Sequence, residues 1–245
     1  MIKTLKTKKG RDEHGLFIVE GEKLVAEIPQ DWRIRAYVVD SRQPVSITNR
    51  LGKRAPVLTV SDSHFSSLSD TITPQGIMAV CEKRNFTLKH LPKENPFILM
   101  GECLSDPGNI GTLIRTATAA DVSGCILSAG SGDIYNPKVI RASAGAVLRV
   151  PIIEKADLPE IIAYLKQQGV LIIAAHLKGS VLPYDMDLRR GCAILVGNET
   201  HGLSDETSNL SDVFVKLPMA PGIESLNASV AGGILLYEVV RQRLG

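Results

Sequence analysis

Three short stretches of the 245-residue chain concentrate amides, carboxylates, hydroxyls and an arginine beside the glycines and prolines of tight turns. The first runs Asp106-Pro107-Gly108-Asn109 and on to Arg115. Pro and Gly make the turn, Asn109 is the N-cap candidate, and Arg115 lies about one and two-thirds turns into the helix, near its ligand end. An arginine there either grips a phosphate through two parallel hydrogen bonds or decorates the surface of an ordinary capped helix. The second is Val196-Gly197-Asn198-Glu199-Thr200-His201-Gly202, an apolar strand ending on paired glycines. That spacing allows close backbone approach to a flat ligand and places Glu199 at the mouth as acid, base or orienting acceptor. His201 has no accompanying Ser or Cys nucleophile motif and reads as a loop histidine. The third goes from Leu217-Pro218-Met219 through Pro221-Gly222 to Ser225-Leu226-Asn227, where polar side chains and free amides open an apolar helix. Of Ser225 and Asn227, one caps the helix and the other is left for a pocket. Further along, Gly232 and Gly233 each cost about 1 kcal/mol relative to alanine unless a strand, a ligand or a second subunit approaches closely, which makes this helix a candidate dimer contact. Gly130-Ser131-Gly132 lacks the third glycine of a dinucleotide fingerprint.

Extended and helical runs alternate along the chain, the pattern of an α/β protein. In front, the strands Leu16–Val19, Ile34–Val39, Val57–Val60 and Gly76–Cys81 alternate with helices over Glu22–Glu27, Val45–Leu51 and Asp62–Leu68, a small α/β sandwich spanning residues 1–90. Lys83 to Pro96 reads as a linker. A second domain, 95–245, has strands Phe97–Gly101, Cys125–Ser128, Val170–Ala174, Ala193–Val196 and Val213–Leu217 in a parallel sheet. Helices Ile110–Ala120, Pro137–Ala144, Leu158–Gln168 and Asn227–Arg243 are expected to cover it. Ligands bind beyond the carboxyl ends of such strands, which is where the three polar stretches fall.

A 44% hydrophobic content excludes a disordered chain. Cys81, Cys103, Cys125 and Cys192 have neither CxxC spacing nor histidines at metal-ligand distance, which predicts reduced thiols and no metal site. The opening Met-Ile-Lys-Thr-Leu-Lys has no apolar signal core and no run reaches the roughly 18 residues of a membrane span, so a cytoplasmic protein is expected. Residues 1–94 hold 16 Lys and Arg against 11 Asp and Glu, and the densest cluster is Lys3, Lys6, Lys8, Lys9 and Arg11. It suits either a solvated chain end or an RNA-phosphate patch.

The three stretches together resemble the SpoU/TrmH group of the SPOUT RNA methyltransferases. The motifs fall in order: Asp106-Pro107-x-Asn109-x-Gly111-x-x-x-Arg115, then Val196-Gly197-x-Glu199-x-x-Gly202-Leu203, then Leu217-Pro218-Met219 with Ser225-Leu226-Asn227 and Ser229-Val230-Ala231. Asn136-Pro137-Lys138 through Arg141-Ala-Ser143 is similar to another family segment, and Arg11, Gly15, Phe17, Glu20 and Gly21 resemble the start of a ribosomal-protein-like substrate-binding domain. The resemblance implies transfer of a methyl group from S-adenosylmethionine to a ribose 2′-hydroxyl of RNA, rRNA rather than tRNA, with a catalytically silent ribosome-assembly protein as the other reading. It implies a homodimer formed through a C-terminal domain with a deep trefoil knot. It further implies cofactor contacts at Gly197, Asn198, Glu199, Leu217, Met219, Leu226 and Asn227, and a catalytic face of Asn109, Arg115, Glu199, Ser225 and Asn227. RNA contacts are expected at Lys8, Lys9, Arg11, Arg115 and Arg141. The family assigns Arg115's counterpart the proton, but an arginine with a pKa above about 12 is a poor base, which favours a phosphate clamp. The chain departs from the family at Pro218-Met219-Ala220-Pro221-Gly222, where the glycine comes one place late behind a proline.

Overall fold

The computed structural model describes residues 1–245, which divide into two compact units, 1–84 with 133–148 and 85–132 with 149–245. Along the chain the first unit contains α1 (Lys8–His14), β1 (Leu16–Glu20), α2 (Glu22–Ala26), β2 (Ile34–Asp40), α3 (Val45–Gly52), β3 (Val57–Val60), α4 (Asp62–Leu68) and β4 (Ile77–Glu82). The second begins with β5 (Phe97–Gly101), α5 (Pro107–Ala119) and β6 (Gly124–Ser128). After α6 (Pro137–Ala142), which belongs to the first unit, it continues with β7 (Ile152–Ala156), α7 (Leu158–Gln167), β8 (Leu171–Ala175), β9 (Cys192–Val196), α8 (Asp205–Asn209), β10 (Val213–Val215) and α9 (Ala228–Leu244).

The first unit is built on a four-stranded sheet in the order β1-β4-β2-β3, with β4 antiparallel to both neighbours and β3 parallel to β2. Its N-terminal basic cluster is ordered, Lys3 and Lys6 in a 3-10 helix over Ile2–Lys6 and Lys8, Lys9 and Arg11 in α1, which is capped by the Thr7 hydroxyl and closed by Gly15 in the left-handed region at φ 63°. Arg11, expected to meet RNA, is instead buried. Its side chain is 3% exposed, its Nη2 lies 2.6 Å from Asp133 Oδ2, and its Nε donates to the same oxygen at 2.7 Å. Nη1 donates to the Leu5 and Lys6 carbonyls, so every arm of the guanidinium is engaged within the unit. The helix over Pro137–Ala142 is likewise not part of the second unit's cover. Residues 133–148 pack with the first unit, where Phe17 meets Tyr135 at 4.4 Å between ring centres and Trp32 Nε1 donates to the Leu148 carbonyl.

The second unit is a six-stranded parallel sheet in the order β10-β8-β9-β5-β6-β7. All five residues of β5 and of β9 are buried, as expected for central strands covered on both faces. Strand β7 is one the sequence pattern does not predict. Lys155 there has φ 54° and the register to β6 shifts, which breaks the simple alternation. From β5 the chain adds β6 and β7 on one side, then crosses to place β8, β9 and β10 on the other, so the strand order switches between β5 and β9. A crevice at the carboxyl ends follows from that switch.

The buried ion pair gives a stability prediction. Breaking it by Arg11→Ala leaves Asp133 as an uncompensated buried charge, a loss of about 3–5 kcal/mol. Trp32, the chain's one tryptophan and 3% exposed, reports the first unit, so fluorescence-detected denaturation checks the value directly. A loss under about 1 kcal/mol, the size of a surface pair, would contradict the role.

Candidate active site

The helix α5 starts where Pro107 sets φ without needing an N–H partner, and Asp106 caps it by accepting from the Asn109 amide at 2.7 Å. Asn109 was the expected cap. Because Asp106 takes that role, the Asn109 side chain is free to leave the helix. Its Nδ2 donates to Glu199 Oε1 at 3.0 Å, and its Oδ1 accepts from Asn227 Nδ2 at 2.9 Å. Asn227 is the N-cap of α9, its Oδ1 accepting from the Ser229 amide at 2.9 Å and hydroxyl at 2.7 Å. One side chain thus caps a helix and reaches the neighbouring motif, and Ser225 makes no hydrogen bond within the chain.

Glu199 gathers further donors from Ser105, through its amide at 3.4 Å and hydroxyl at 3.3 Å, and from the Asp106 amide at 3.4 Å. Burial pushes its carboxyl up, but the Asn109 bond and the backbone amides outweigh burial and hold it below the ordinary carboxylate value of 4.5. The group is therefore an anion at neutral pH with its lone pairs engaged. That suits an orienting acceptor better than a base.

The loop Gly197–Leu203 is closed by paired backbone bonds between Asn198 and Gly202, each 2.9 Å. A Cβ on Gly197 would lie 2.3–2.5 Å from the Gly202 carbonyl and the Leu203 amide. The loop's own closure therefore already requires glycine here. Asn198 holds the turn by accepting from the Thr200 and His201 amides while its Nδ2 donates to the Cys103 carbonyl at 2.7 Å. In the third stretch the Ile223 amide donates to the Ala220 carbonyl and Gly222 has φ 86°. Pro221 and Gly222 occupy the two central positions that such a turn requires, which explains the late glycine.

These loops, together with the one after β8, enclose a cavity of about 600 Å³. Gly197, Asn198, Glu199, Leu217, Met219, Ser225, Leu226 and Asn227 all line it, as does His201. Asn109 reaches the cavity only through Glu199 and Asn227. Arg115 does not line it. Six residues along α5 place it roughly 9 Å and about 120° around the axis from Asn109, exposed and without a hydrogen bond or ion pair in the chain. Of the expected RNA contacts, Lys8 pairs with Asp12 at 3.1 Å, Lys9 is exposed and Arg141 is half-buried without an ion pair. Gly232 packs against Leu113 and Val196, and Gly233 against Thr116, so the glycine pair of α9 meets α5 and β9 of the same chain. Sequence reasoning missed the wall His176-Leu177-Lys178, where His176 stacks on Phe214 and its Nδ1 accepts from the Lys178 amide. Its position after a parallel strand was the available signal.

Residues 96–237 match the SpoU rRNA Methylase family, and residues 1–79 match the MRM3-like substrate binding domain. The chain is 31% identical to the 23S rRNA (guanosine(2553)-2′-O)-methyltransferase RlmP of Bacillus subtilis (strain 168), over 97% of this chain and 93% of that protein. It superposes on an AdoMet-bound rRNA methyltransferase from Sinorhizobium meliloti with a TM-score of 0.90 and 33% identity, covering 100% of this chain and 94% of that one. The SpoU methyltransferase AviRb of Streptomyces viridochromogenes in complex with AdoMet matches at 0.91 and 26%, covering 100% and 98%.

The Glu199 environment is testable by titration. A depressed folded-state value means that the carboxylate network contributes stability at neutral pH and loses it as pH falls through that value. Followed by NMR, the Glu199 carboxyl should titrate below 4.5 and move upward in Asn109→Ala, which removes the side-chain donor. An unshifted titration in that variant would contradict the assignment.

Proposed function

The chain belongs to the SpoU rRNA methylase family, and from that premise we propose that it methylates a ribose 2′-hydroxyl of ribosomal RNA with S-adenosylmethionine as donor. The observation that carries this reading is the hydrogen-bonded row Glu199–Asn109–Asn227, which joins all three motif loops beside the cavity. The relatives named for 23S rRNA 2′-O-methylation and the AdoMet-bound neighbours support the same activity and cofactor. The cavity fits the cofactor by its own chemistry. Its volume is that of a small-molecule site, and apolar Val196, Leu217 and Leu226 suit a purine while Asn198, Glu199 and Asn227 suit an amino-acid tail.

When bound, the sulfonium supplies an electrophilic methyl group, so the protein has mainly to align the hydroxyl and see its proton away. Asn109 and Asn227 are locked end to end, and Glu199 fixes the Asn109 amide, so the polar row beside an incoming ribose does not reorganise during reaction. Ser225, on the cavity wall with no partner in the chain, is the hydroxyl available to that ribose. Arg115, free and exposed on the helix that carries Asn109, clamps an RNA phosphate. That phosphate receives the proton more readily than the guanidinium does.

The first unit serves as the RNA-binding domain, with Lys8, Lys9 and Arg141 as its candidate phosphate contacts. A homodimer through the second unit completes the reading, together with the knot of the family and a cytoplasmic setting. Val230, Ile234 and Tyr237, exposed by 49%, 44% and 49% at helical spacing along α9, support that dimer. No helix is long and apolar enough to cross a membrane.

Mass spectrometry of ribose-methylated nucleosides, with and without the gene, should show one 2′-O-methyl position lost from rRNA and none from tRNA. Arg115→Lys keeps the charge but not the fork, and we expect turnover on that rRNA to fall about 100-fold or more. Intact methylation in the deleted strain would contradict the function, and near-normal turnover in Arg115→Lys would remove the clamp.

A further inference from the structure

Glu102, the residue after β5, is outside the cavity and outside the catalytic row. Its amide donates to the Val196 carbonyl at 2.9 Å, extending the β5/β9 ladder by one residue. Its carboxylate then closes on the far end of the Gly197–Leu203 loop. Oε2 accepts from the Ser204 amide at 2.8 Å, and Oε1 accepts from the Ser204 hydroxyl at 2.7 Å and the Thr207 hydroxyl at 2.6 Å. The Ser204 hydroxyl also accepts from the Thr207 amide at 3.1 Å as the N-cap of α8, and its oxygen lies 3.0 Å from the Thr207 hydroxyl. Thr207 itself is 2% exposed.

We infer that Glu102 is a positioning residue for the cofactor, setting the Gly197–Asp205 wall of the cavity through Ser204 and Thr207; the inference rests on the S-adenosylmethionine reading of that cavity. Three features argue for it. None of Glu102, Ser204 and Thr207 lines the cavity, whereas the residues on either side of Ser204, Leu203 and Asp205, both do. The three bonds are shorter than those Glu199 receives from Ser105 and Asp106, so the loop is held more firmly at Ser204 than at its tip. The loop's other end is fixed by β9, and its middle by Asn198 on the Cys103 carbonyl. Without the Glu102 clasp, Ser204 and the first turn of α8 lose their polar tie to the end of β5, and the packing of Leu203 on the core of β5, β8, β9 and α7 is left to hold that part of the wall. A group that acts this way alters how tightly the cofactor binds and leaves the reacting row intact.

The experiment is calorimetric titration of S-adenosylmethionine into the full chain, paired with initial rates on rRNA from cells lacking the gene. Glu102→Ala removes all three bonds and should weaken binding about tenfold or more, while turnover at saturating cofactor stays within about twofold of wild type. Glu102→Gln keeps an acceptor for the Ser204 amide and should weaken binding by only about threefold or less. Thr207→Val removes one bond with little change of shape, should weaken binding about threefold, and decides the matter if Glu102→Ala does not fold. Wild-type affinity in Thr207→Val and in folded Glu102→Ala would overturn this inference alone. Equal losses of affinity and saturated turnover would also overturn it, since they would mark general destabilisation. A wild-type chain that binds no S-adenosylmethionine would overturn the cofactor reading itself, and this role with it.

Discussion

The Glu199 carboxylate sits where three loops meet, and its bonds to Asn109 and to the Ser105 and Asp106 amides give those loops a common reference. An amide side chain has one donor end and one acceptor end, so fixing one end decides what the other offers. Glu199 takes the donor end of Asn109. The acceptor end then receives Asn227, whose own oxygen is committed to the start of α9. Orientation thus passes in one direction from a charged group to a helix terminus, and each member has one arrangement that satisfies it.

Such a row needs backbone that cannot drift. The reversal of strand order between β5 and β9 brings the loops after both strands to one edge, and the chain then stitches them together. Cys103 adopts φ 50°, which costs roughly 1–2 kcal/mol for a residue other than glycine, and the Asn198 side chain bonds to its carbonyl. Gly197 and Gly202 close the facing loop so tightly that no Cβ fits on Gly197.

Much of this was legible in the sequence because the signals were local. The apolar runs at Phe97–Gly101 and Val57–Val60 gave strands with those bounds, and the polar stretch after Gly101 marked a carboxyl end where a ligand is expected. What was hidden depended on partners distant in the chain. Arg11 looked like a member of a basic patch until Asp133, far along the sequence, was seen to bury it. The segment around Pro137–Ala142 carried a good helix signal and no sign of which unit it packs with. Asn109 and Asp106 are both good caps, and local propensity does not choose between them. The proline at 107 does, by beginning the helix there. The glycine pair in α9 announced close packing correctly, but not that α5 and β9 are what lies against it.

The central claim is that Glu199 acts through Asn109 and not as an independent base. A double-mutant cycle on single-turnover methyl transfer, using Asn109→Ala, Glu199→Gln and the pair, measures that coupling most directly. If the two act as one unit, the double variant should be about as slow as the slower single variant, with a coupling of roughly 1–3 kcal/mol. Independent, additive losses would contradict the account.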